Sequence, residues 1–293
     1  MNSYAADHNL SGPTPMTESG FTETADYREF KARVFQKTGI DLNLYKQQQM
    51  HRRLLNMVER AKARDFVEYY QLIEGNPQEF AAFLDRMTIN VSELFRNPEK
   101  WQEMREKILP PMLAGKRPLK VWSAGCSYGA EPYSLAILLD QLAPGAAHTI
   151  HATDLDHKIL ARAKEGLFHA SDVKNLDAAT LERYFLPLQP GAAPSAAALE
   201  PAYQVKPAVR ARVTFRAHNL LADRFETGYD LICCRNVVIY FTDPAKERLY
   251  ARFWQALRPG GVLFVGGTER IFNARAIGFD SPLPFFYRRR EQE

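Results

Sequence analysis

Two acidic residues stand where the first two strands of a predicted sheet end, and together they could hold the polar groups of a nucleoside. Glu131 opens an apolar helix after the strand and turn in VWSAGCSYGAEPYS at 121–134, and Asp154 closes the strand TIHATD at 149–154. An acidic side chain at a strand end can accept hydrogen bonds from a ribose diol. Simpler interpretations stay open for each residue alone. Glu131 would also stabilise a helix N-terminus, and Asp154 could be an ordinary turn residue.

The turn between this strand and helix lacks the glycine pattern of a dinucleotide-binding turn. That pattern reads G-x-G-x-x-G, because backbone N–H groups must close on a pyrophosphate. Here Gly125 and Gly129 are four residues apart, and the bulky Tyr128 stands where close approach would be needed. A ligand with a ribose, an adenine and a cationic end suits the two carboxylates better than a phosphate does. S-adenosylmethionine fits that description, whereas an oxidoreductase that uses a nicotinamide cofactor is disfavoured.

The three cysteines, Cys126, Cys233 and Cys234, have no metal-binding spacing and make an odd number. We therefore expect no metal, and reduced thiols in a cytoplasmic protein. A catalytic thiol is disfavoured, because nothing near these residues in sequence would lower a thiol pKa.

The N-terminal sequence and the hydrophobic runs argue against a secreted or membrane-inserted protein. Residues 1–20 lack the basic and apolar regions of a secretory signal. No uncharged apolar run reaches the ~18 residues of a membrane-spanning helix. We expect no secretion signal and no membrane insertion.

The composition is that of a folded globular protein with a mild basic bias. The chain has 293 residues, of which 46% are apolar and 25% are charged, and its formal net charge is +4. This length allows one large or two modest domains. The basic bias suits an acidic partner but does not identify one.

A small helical domain is predicted over 25–92, after a disordered tail over 1–24 that is rich in Ser, Thr, Gly, Pro and acidic residues. Four apolar stripes at helical spacing predict four helices. The stripes are Tyr27, Phe30 and Val34; Met50, Leu54, Met57 and Val58; Phe66, Tyr69, Tyr70 and Ile73; and Phe80, Phe83, Leu84 and Met87. Gly39 and Gly75 can end the first and third helices, and Pro77 can begin the fourth.

After a linker over 93–112, strands and helices alternate. The predicted strands are 119–124, 149–154, 213–219, 229–235, 262–267 and 284–289, and the predicted helices are 131–142, 156–165, 177–184 and 244–257. This alternation is typical of a mostly parallel, doubly wound sheet. The predicted fold class is therefore α/β, with the small N-terminal helical domain followed by a Rossmann-like sheet over 113–293.

One segment, 167–212, interrupts this alternation. It separates a helix from the next strand, where a short connection is usual. It contains the Ala/Pro-rich stretch PGAAPSAAALEP at 190–201. Its length favours an inserted small β-subdomain.

Six motifs, in order, resemble those of the bacterial chemotaxis receptor methyltransferases (CheR). They are MTINVSELFRNP at 87–98, VWSAGCSYGAEPYS at 121–134, ATDLD at 152–156, HNLL at 218–221, CRNVVIYF at 234–241 and LRPGGVLFVGGTE at 257–269. The resemblance covers about 27–290. It implies a class I methyltransferase fold, S-adenosylmethionine as cofactor and S-adenosylhomocysteine as product. The implied reaction is methyl ester formation on chemoreceptor glutamates in chemotactic adaptation, and 167–212 resembles the family's β-subdomain.

The resemblance also implies which residues contact the cofactor. Carried over position by position, they are Asn90, Ser92, Arg96, Glu131, Asp154, Asn219, Leu220, Asn236 and Val237. Ser92 keeps the hydroxyl of the Thr found in many relatives. Ala130 and Tyr128 depart from the family pattern, in which a Glu and a small residue are usual. Without the motifs, the asparagines could be helix-end or turn residues and the arginine a solvated charge.

Arg96 and Tyr240 are the predicted catalytic residues. The Arg96 guanidinium can grip a carboxylate bidentately, and the carboxylate could be that of the cofactor or of the substrate. Tyr240 is expected beside the methyl group as a steric wall and hydroxyl donor, although packing in the core would explain it equally well. The acceptor glutamate, with a reference pKa of ~4.3, is ionised at neutral pH. No general base is therefore expected, only alignment and removal of water.

The basic segment 46–64 is predicted to bind the receptor, since it carries six basic residues against the single acid Glu59. On one helix, Arg53, Arg60 and Arg64 would lie close to one face and attract the acidic, glutamate-rich helices of a receptor methylation region. A solvated helix face is the simpler alternative. We expect the partner to be a methyl-accepting chemoreceptor and the protein to be a cytoplasmic monomer recruited to membrane receptor arrays.

Two further alternatives are disfavoured. An RNA methyltransferase would usually add stacking aromatics to its basic groups, and 46–64 has no Phe, Tyr or Trp. No DPPY-type motif of the amino-group nucleic acid methylases follows the fourth strand, so no nucleic acid partner is expected. A non-enzymatic binding module would have no need of the full set of predicted contacts, which are all present.

Overall fold

The computed structural model describes residues 21–88, 91–115, 117–189 and 202–291. Most of the predicted tail 1–24, the whole Ala/Pro-rich stretch 190–201 and the predicted contact Asn90 lie outside the described residues.

Four helices form the N-terminal part of the structure, as the apolar stripes predict. They are α1 Ala25–Thr38, α2 Gln47–Arg60, α3 Phe66–Glu74 and α4 Pro77–Met87. Their buried faces share one core, in which Phe30 packs against Phe66 and Phe83. Gly39 ends α1 in a left-handed conformation with φ 71°, as its position predicts. Asn76 caps α4 by accepting hydrogen bonds from two backbone N–H groups, and Pro77 occupies the first turn.

The stretch predicted as a linker, 93–112, is largely helical. It contains α5 Pro98–Glu103, a π-helical turn Met104–Ile108 and α6 Leu109–Leu113. Trp101 and Met104 are buried in the core cluster that covers one face of the sheet. The two prolines at 110–111 look like a helix boundary in the sequence. They lie in the first turn of α6, directly after the π-helical turn, so the helical run continues through two residues that have no N–H to donate to the preceding turn.

The rest of the described chain contains ten strands and six further α-helices. In chain order they are β1 Lys120–Ala124, α7 Ala130–Leu142, β2 Thr149–Asp154, α8 His157–Glu165, β3 Leu167–Phe168, α9 Ala178–Tyr184, β4 Phe185–Pro187, β5 Tyr203–Val205, α10 Pro207–Arg210, β6 Val213–Ala217, β7 Tyr229–Cys234, α11 Asp243–Ala256, β8 Leu257–Val265, α12 Ala274–Ile277, β9 Phe279–Leu283 and β10 Phe286–Arg289.

The main sheet has seven strands in the order β6-β2-β1-β7-β8-β10-β9. The first five run parallel, and β10 pairs antiparallel with both β8 and β9. Alternate residues of β1 and β7 belong to two different core clusters, one containing α7 and α8 and the other α11. Helices therefore cover both faces. The predicted class I, doubly wound α/β fold is confirmed.

The edge strand β9 was not predicted. Its sequence, FDSPL, contains a proline and has three exposed residues in its centre. Such a strand shows neither a continuous apolar run nor clean alternation, because at the edge of a sheet it buries little surface.

The inserted segment 167–212 contains the second, three-stranded sheet, in the order β3-β5-β4 with antiparallel pairing. Each strand is two or three residues long. The predicted small β-subdomain is present, and its predicted helix 177–184 corresponds to α9. None of the helices in the described ranges is both long enough and apolar enough to span a bilayer.

Candidate functional site

A pocket opens at the carboxyl edge of the main sheet, beside the point between β1 and β7 where the strand order reverses. Its volume is about 1140 Å³, including the open mouth. The predicted site residues that line it are Ser92, Arg96, Glu131, Asp154, Asn219, Leu220, Asn236, Val237, Tyr240 and Arg53. The structure thus brings together every predicted cofactor contact within the described ranges. Arg60 and Arg64, predicted to bind the receptor, are not among the lining residues.

The turn after β1 has a backbone shape that few residues adopt. Gly125 has φ 82° and Ser127 has φ 49°. A Cβ on Gly125 would lie 2.4 Å from Val237 Cγ2, so the turn and the loop after β7 are in direct contact there. The N–H of Gly125 donates to the carbonyl oxygen of Thr153 at 2.8 Å. The glycine therefore provides close approach between two parts of the protein, and the backbone has no dinucleotide fingerprint.

Asp154 is held firmly at the end of β2. Its Oδ2 accepts a hydrogen bond from the N–H of Ser127 at 2.8 Å, and its Oδ1 accepts one from the N–H of Asp156 at 3.2 Å. Burial raises the pKa of Asp154 above its ordinary value, while these hydrogen bonds oppose the rise. Carboxylate oxygens have further lone pairs, so a ribose diol could still bind to this side chain.

Glu131 is the second carboxylate and lies in the first turn of α7. Its Oε1 accepts a hydrogen bond from Ser123 Oγ at 2.7 Å, and Arg235 Nη1 is 3.8 Å from its Oε2. Burial raises the pKa of Glu131, and the Arg235 charge opposes this rise. The separation from Arg235 is too long for a hydrogen bond, so Oε2 keeps lone pairs that a ligand amine can use.

Tyr128, one of the two departures from the family pattern, does not fill the pocket. Its ring is buried 6.0 Å from the ring of Phe168, beneath the Arg162 guanidinium at 4.7 Å. Its hydroxyl donates to the carbonyl oxygen of Ser92 and lies 3.2 Å from Asp172 Oδ1. This tyrosine therefore fixes the backbone of a lining residue from outside the pocket.

Arg96 lies on a strained loop that leads into α5. Its neighbours Phe95 and Asn97 have φ 52° and 61°, unusual values for residues with side chains. The Arg96 carbonyl oxygen accepts hydrogen bonds from Trp101 Nε1 at 3.0 Å and from Arg235 Nη2 at 2.8 Å. The backbone is held in this way while the guanidinium lines the pocket, donating to the carbonyl oxygen of Val91 at 3.4 Å.

The loops after β6 and β7 line another part of the pocket. Asn219 Oδ1 accepts a hydrogen bond from the N–H of Leu221 at 3.0 Å, so this side chain does form a turn as well as lining the pocket. Asn236 has a left-handed φ of 60° and begins the segment that leads to Tyr240. Burial raises the pKa of Tyr240, which keeps its hydroxyl protonated near neutral pH.

The helical domain closes the pocket on the Tyr240 side. Tyr45 and Phe241 form an isolated antiparallel β-bridge, in which Lys46 N–H donates to the Tyr240 carbonyl and Thr242 N–H to the Leu44 carbonyl, both at 2.9 Å. The side chains of Tyr45, Met50, Arg53 and Met87 line the pocket from this domain.

The prediction of a single basic helical face over 46–64 is wrong. Helix α2 ends at Arg60, and Lys62 has φ 56°, so Arg64 does not continue that helix. Arg64 instead pairs with Glu68 of α3 at 3.0 Å. Arg53 faces inward, with its guanidinium 5.5 Å from the Tyr240 ring centroid and donating to the Met87 carbonyl. Only a helix that continued beyond residue 60 would place the three arginines on one face, and α2 ends at Arg60.

Two charged residues of the site were missed by the sequence reasoning. Arg235 is buried, with Nη2 donating to Asn97 Oδ1 at 2.9 Å and its guanidinium 4.6 Å from the ring of Phe264. Glu269 is buried at the end of the motif LRPGGVLFVGGTE and accepts hydrogen bonds from the loop after β7. Both lie inside the quoted motifs, so a charged residue within an apolar motif was the available signal.

Comparisons with known proteins agree over most of the chain. The family described as "CheR methyltransferase, all-alpha domain" matches residues 25–88, and "CheR methyltransferase, SAM binding domain" matches residues 90–280. A protein of Listeria monocytogenes named "Chemotaxis protein methyltransferase" is 39% identical over 263 residues, which is 89% of this chain and 96% of the relative.

Two other relatives give the same result. A "Chemotaxis protein methyltransferase" of Klebsiella aerogenes is 33% identical over 275 residues, covering 91% of this chain and 90% of the relative. "Chemotaxis protein methyltransferase 1" of Pseudomonas aeruginosa is 34% identical over 262 residues, covering 85% of this chain and 91% of the relative. With both domains matched and a pocket at the expected edge of the sheet, the chain belongs to the CheR methyltransferase family.

Proposed function

We propose that this protein transfers a methyl group from S-adenosylmethionine to glutamate side chains of chemoreceptors, forming glutamyl methyl esters in chemotactic adaptation. The observation that carries the proposal is one pocket at the carboxyl edge of the sheet, bordered by Glu131 and Asp154 and lined by Arg96 and Tyr240. The family's SAM-binding domain and the names of the relatives support the same activity.

The residues present fit the cofactor. Asp154 would accept hydrogen bonds from the ribose hydroxyls, because it ends β2 and both its oxygens are already oriented by backbone N–H groups. Glu131 would attract the ammonium group through Oε2. Ser92, Asn219, Leu220, Asn236 and Val237 line the same pocket and would complete the cofactor contacts, with Asn90 as a further predicted contact. When bound, S-adenosylmethionine supplies an activated methyl group: the C–S bond breaks as the glutamate C–O bond forms, and sulfur keeps the electron pair.

The chain itself would orient and dehydrate the acceptor. Arg96 has the guanidinium that can align a carboxylate in a bidentate contact, and its fixed backbone limits its movement. Tyr240 would form a wall beside the reacting carbon and donate its hydroxyl hydrogen to an oxygen. The acceptor is ionised already, so no base is needed. Burial raises the pKa of Cys126 far above the ordinary thiol value, which argues against a thiolate at this site.

The receptor would approach the helical domain. Arg60 and Arg64 are exposed and cationic, and they would attract the acidic, glutamate-rich helices that carry the methylation sites. Arg53, the third residue predicted to bind the receptor, lines the pocket and would meet only the part of the receptor that enters it. We propose that the protein acts as a cytoplasmic monomer recruited to membrane receptor arrays.

The test is transfer of labelled methyl from S-adenosylmethionine to receptor-rich membranes. We expect label on the receptor that mild base releases, because carboxyl methyl esters hydrolyse where methylated amines do not. Membranes whose receptor carries glutamine or alanine at the acceptor positions are the control and should remain unlabelled. Absence of transfer, or label that survives base, would contradict the proposal.

A further inference from the structure

A buried carboxylate lies beneath the loop that follows β7. Glu269 Oε2 accepts hydrogen bonds from the N–H groups of Asn236 and Gly266, both at 2.7 Å. Its Oε1 accepts from Val237 and Val238 at 2.9 Å and from Ile239 at 3.3 Å. Glu269 is 4% exposed. One side chain therefore satisfies four consecutive backbone donors of the segment Asn236–Ile239.

This arrangement depends on its surroundings. A Cβ on Gly266 would lie 2.4 Å from Glu269 Oε2 and 2.9 Å from the nitrogen of Asn236, so only glycine leaves room for the carboxylate. Asn236 has φ 60°, which turns successive N–H groups toward one point. Converging backbone N–H groups of this kind form a concave site for an anion. Here the anion belongs to the protein.

The segment that Glu269 holds is one of those that line the pocket. Asn236 and Val237 are predicted cofactor contacts, and Tyr240 follows directly. Val237 also packs against Gly125 in the turn after β1. A shift of the segment would therefore move three lining side chains and release the contact with the first turn.

We propose that Glu269 is a positioning residue, whose carboxylate gathers the backbone N–H groups of 236–239 and so sets the places of Asn236, Val237 and Tyr240 in the pocket. The inference rests on the proposed function for its consequence in catalysis. Glu269 itself is held beneath the backbone, and its effect on cofactor and substrate passes through that loop.

Glu269→Gln tests this with nearly unchanged volume. An amide has one accepting oxygen, and its NH₂ group would face backbone donors that it cannot satisfy. In ligand-free protein we expect hydrogen exchange of the 236–239 amides to rise about tenfold or more, with the β7 amides unchanged. The Kd for S-adenosylhomocysteine should rise about tenfold, and kcat/KM for methyl transfer should fall by at least as much. Glu247→Gln, the same change at an exposed position of α11, is the control and should match the wild type.

Gly266→Ala provides a second route if Glu269→Gln does not fold. Its Cβ would displace the carboxylate, and the same rise in exchange and Kd is expected. Gly267→Ala is its matched control, since a Cβ at Gly267 meets nothing within 4 Å. A folded variant whose loop exchange and Kd stay within about twofold of wild type would overturn the inference, because a role in stability alone predicts that result. Failure of wild-type protein to bind S-adenosylhomocysteine would instead contradict the proposed function, and loop exchange would still decide the role of Glu269.

Discussion

Asp154 has a backbone hydrogen bond on each carboxylate oxygen and still borders the pocket. Asp154→Ala should therefore weaken binding of S-adenosylhomocysteine, because the ribose hydroxyls would lose a charged acceptor. Such hydrogen bonds contribute about 1.5–3 kcal/mol, so we expect Kd to rise about tenfold or more. Isothermal titration calorimetry measures this, with Asp280→Ala on the edge strand β9 as the control. An unchanged Kd for Asp154→Ala would contradict the proposal that Asp154 binds the ribose hydroxyls.

Protonation of the two carboxylates should make cofactor binding sensitive to mild acid. Burial raises the pKa of Asp154 above its ordinary 3.8 and that of Glu131 above 4.5. In the proposed complex, ionised Asp154 would accept hydrogen bonds from the ribose diol and ionised Glu131 would attract the ammonium group, so affinity should fall as the pH falls through the raised values. The folding stability of the ligand-free protein changes with pH in the opposite direction. A raised folded-state pKa gives stability that is present below the ordinary value and is lost as the pH rises through the raised one.

Titrations with S-adenosylhomocysteine from about pH 8 down to about pH 4, close to the ordinary carboxyl pKa values, measure the pH dependence of affinity. Asp154→Asn should bind more weakly at the upper end and vary less with pH. Wild-type affinity that is constant over this range would contradict a role for either ionised carboxylate.

Arg96 can be tested separately from the loop that carries it, because the backbone carbonyl and not the guanidinium holds Trp101 and Arg235. We expect Arg96→Ala to fold normally and to lower kcat/KM about a hundredfold, the loss of a charge-assisted contact. Arg96→Lys keeps the charge without the planar guanidinium, so its kcat/KM should lie between those of the wild type and Arg96→Ala. Arg248→Ala, at an exposed position of α11, is the control. Full activity of Arg96→Ala would rule out an orienting role.

The pocket-lining residues that could be predicted are those whose position along a strand places them at the sheet edge, and residues defined by long-range partners were missed. Glu131 and Asp154 follow strand ends, and parallel strands bring such ends to one edge. Arg235 and Glu269 were overlooked, because their roles come from backbone groups that folding brings close, such as the carbonyl of Arg96. Nothing local in the sequence specifies those pairs.

At the scale of elements, the contact between the first turn and the loop after β7 can be broken by one methyl group. Gly125 has φ 82°, and a Cβ added there would lie 2.4 Å from Val237, whereas Gly228 has φ 81° and nothing within 4 Å. Alanine at either position carries the same backbone strain, of order 1 kcal/mol. We expect Gly228→Ala to lose only that much stability. Gly125→Ala should lose more and bind S-adenosylhomocysteine at least about tenfold more weakly, as denaturation and calorimetry would show. Equal effects of the two variants would contradict a role for close approach.

Of the three arginines predicted to bind the receptor, the two that are exposed are Arg60, at the end of α2, and Arg64, between α2 and α3. Reversing charge at Arg60 and Arg64 together should lower affinity for receptor-rich membranes about tenfold at low salt. The difference should shrink as salt is raised, because exposed charges are screened. The control is Arg248→Glu with Arg275→Glu, which makes the same change in net charge at exposed positions elsewhere and should leave the affinity close to that of the wild type. A loss of affinity that does not depend on salt would contradict electrostatic binding and leave these arginines as ordinary solvated side chains.

Long apolar elements were predictable, and irregular ones were not. The strands of the parallel core were found because burial on both faces gives continuous apolar runs such as LICC in β7. The start of β8 was missed because Leu257–Gly261 contains Pro259 and two glycines, and pairing with β7 shifts register there. Helix α2 was extended too far, since a chain reversal at Lys62 has no glycine or proline to announce it.

At the scale of the whole molecule, ligand binding should appear as stabilisation. S-adenosylhomocysteine at about 100 times its Kd stabilises the folded state by about 2.7 kcal/mol. For a chain of this size we expect the melting temperature to rise about 5–10 °C. NAD should cause no shift, since the turn after β1 has no dinucleotide pattern. A thermal shift with NAD and none with S-adenosylhomocysteine would favour an oxidoreductase and contradict the assignment of the pocket.

The β-bridge between Tyr45 and Phe241 limits how this protein can be recombined. A chimera joined near residue 90 would import a helical domain from a relative, and the foreign residues at 44–46 would have to match the native 240–242. The backbone hydrogen bonds do not depend on side-chain identity, but a poor match would lose the ring contact of Tyr45 with Phe241, whose centroids lie 5.2 Å apart, even if both halves folded. Family shuffling should therefore recover active hybrids mainly when these two tripeptides are inherited from the same parent.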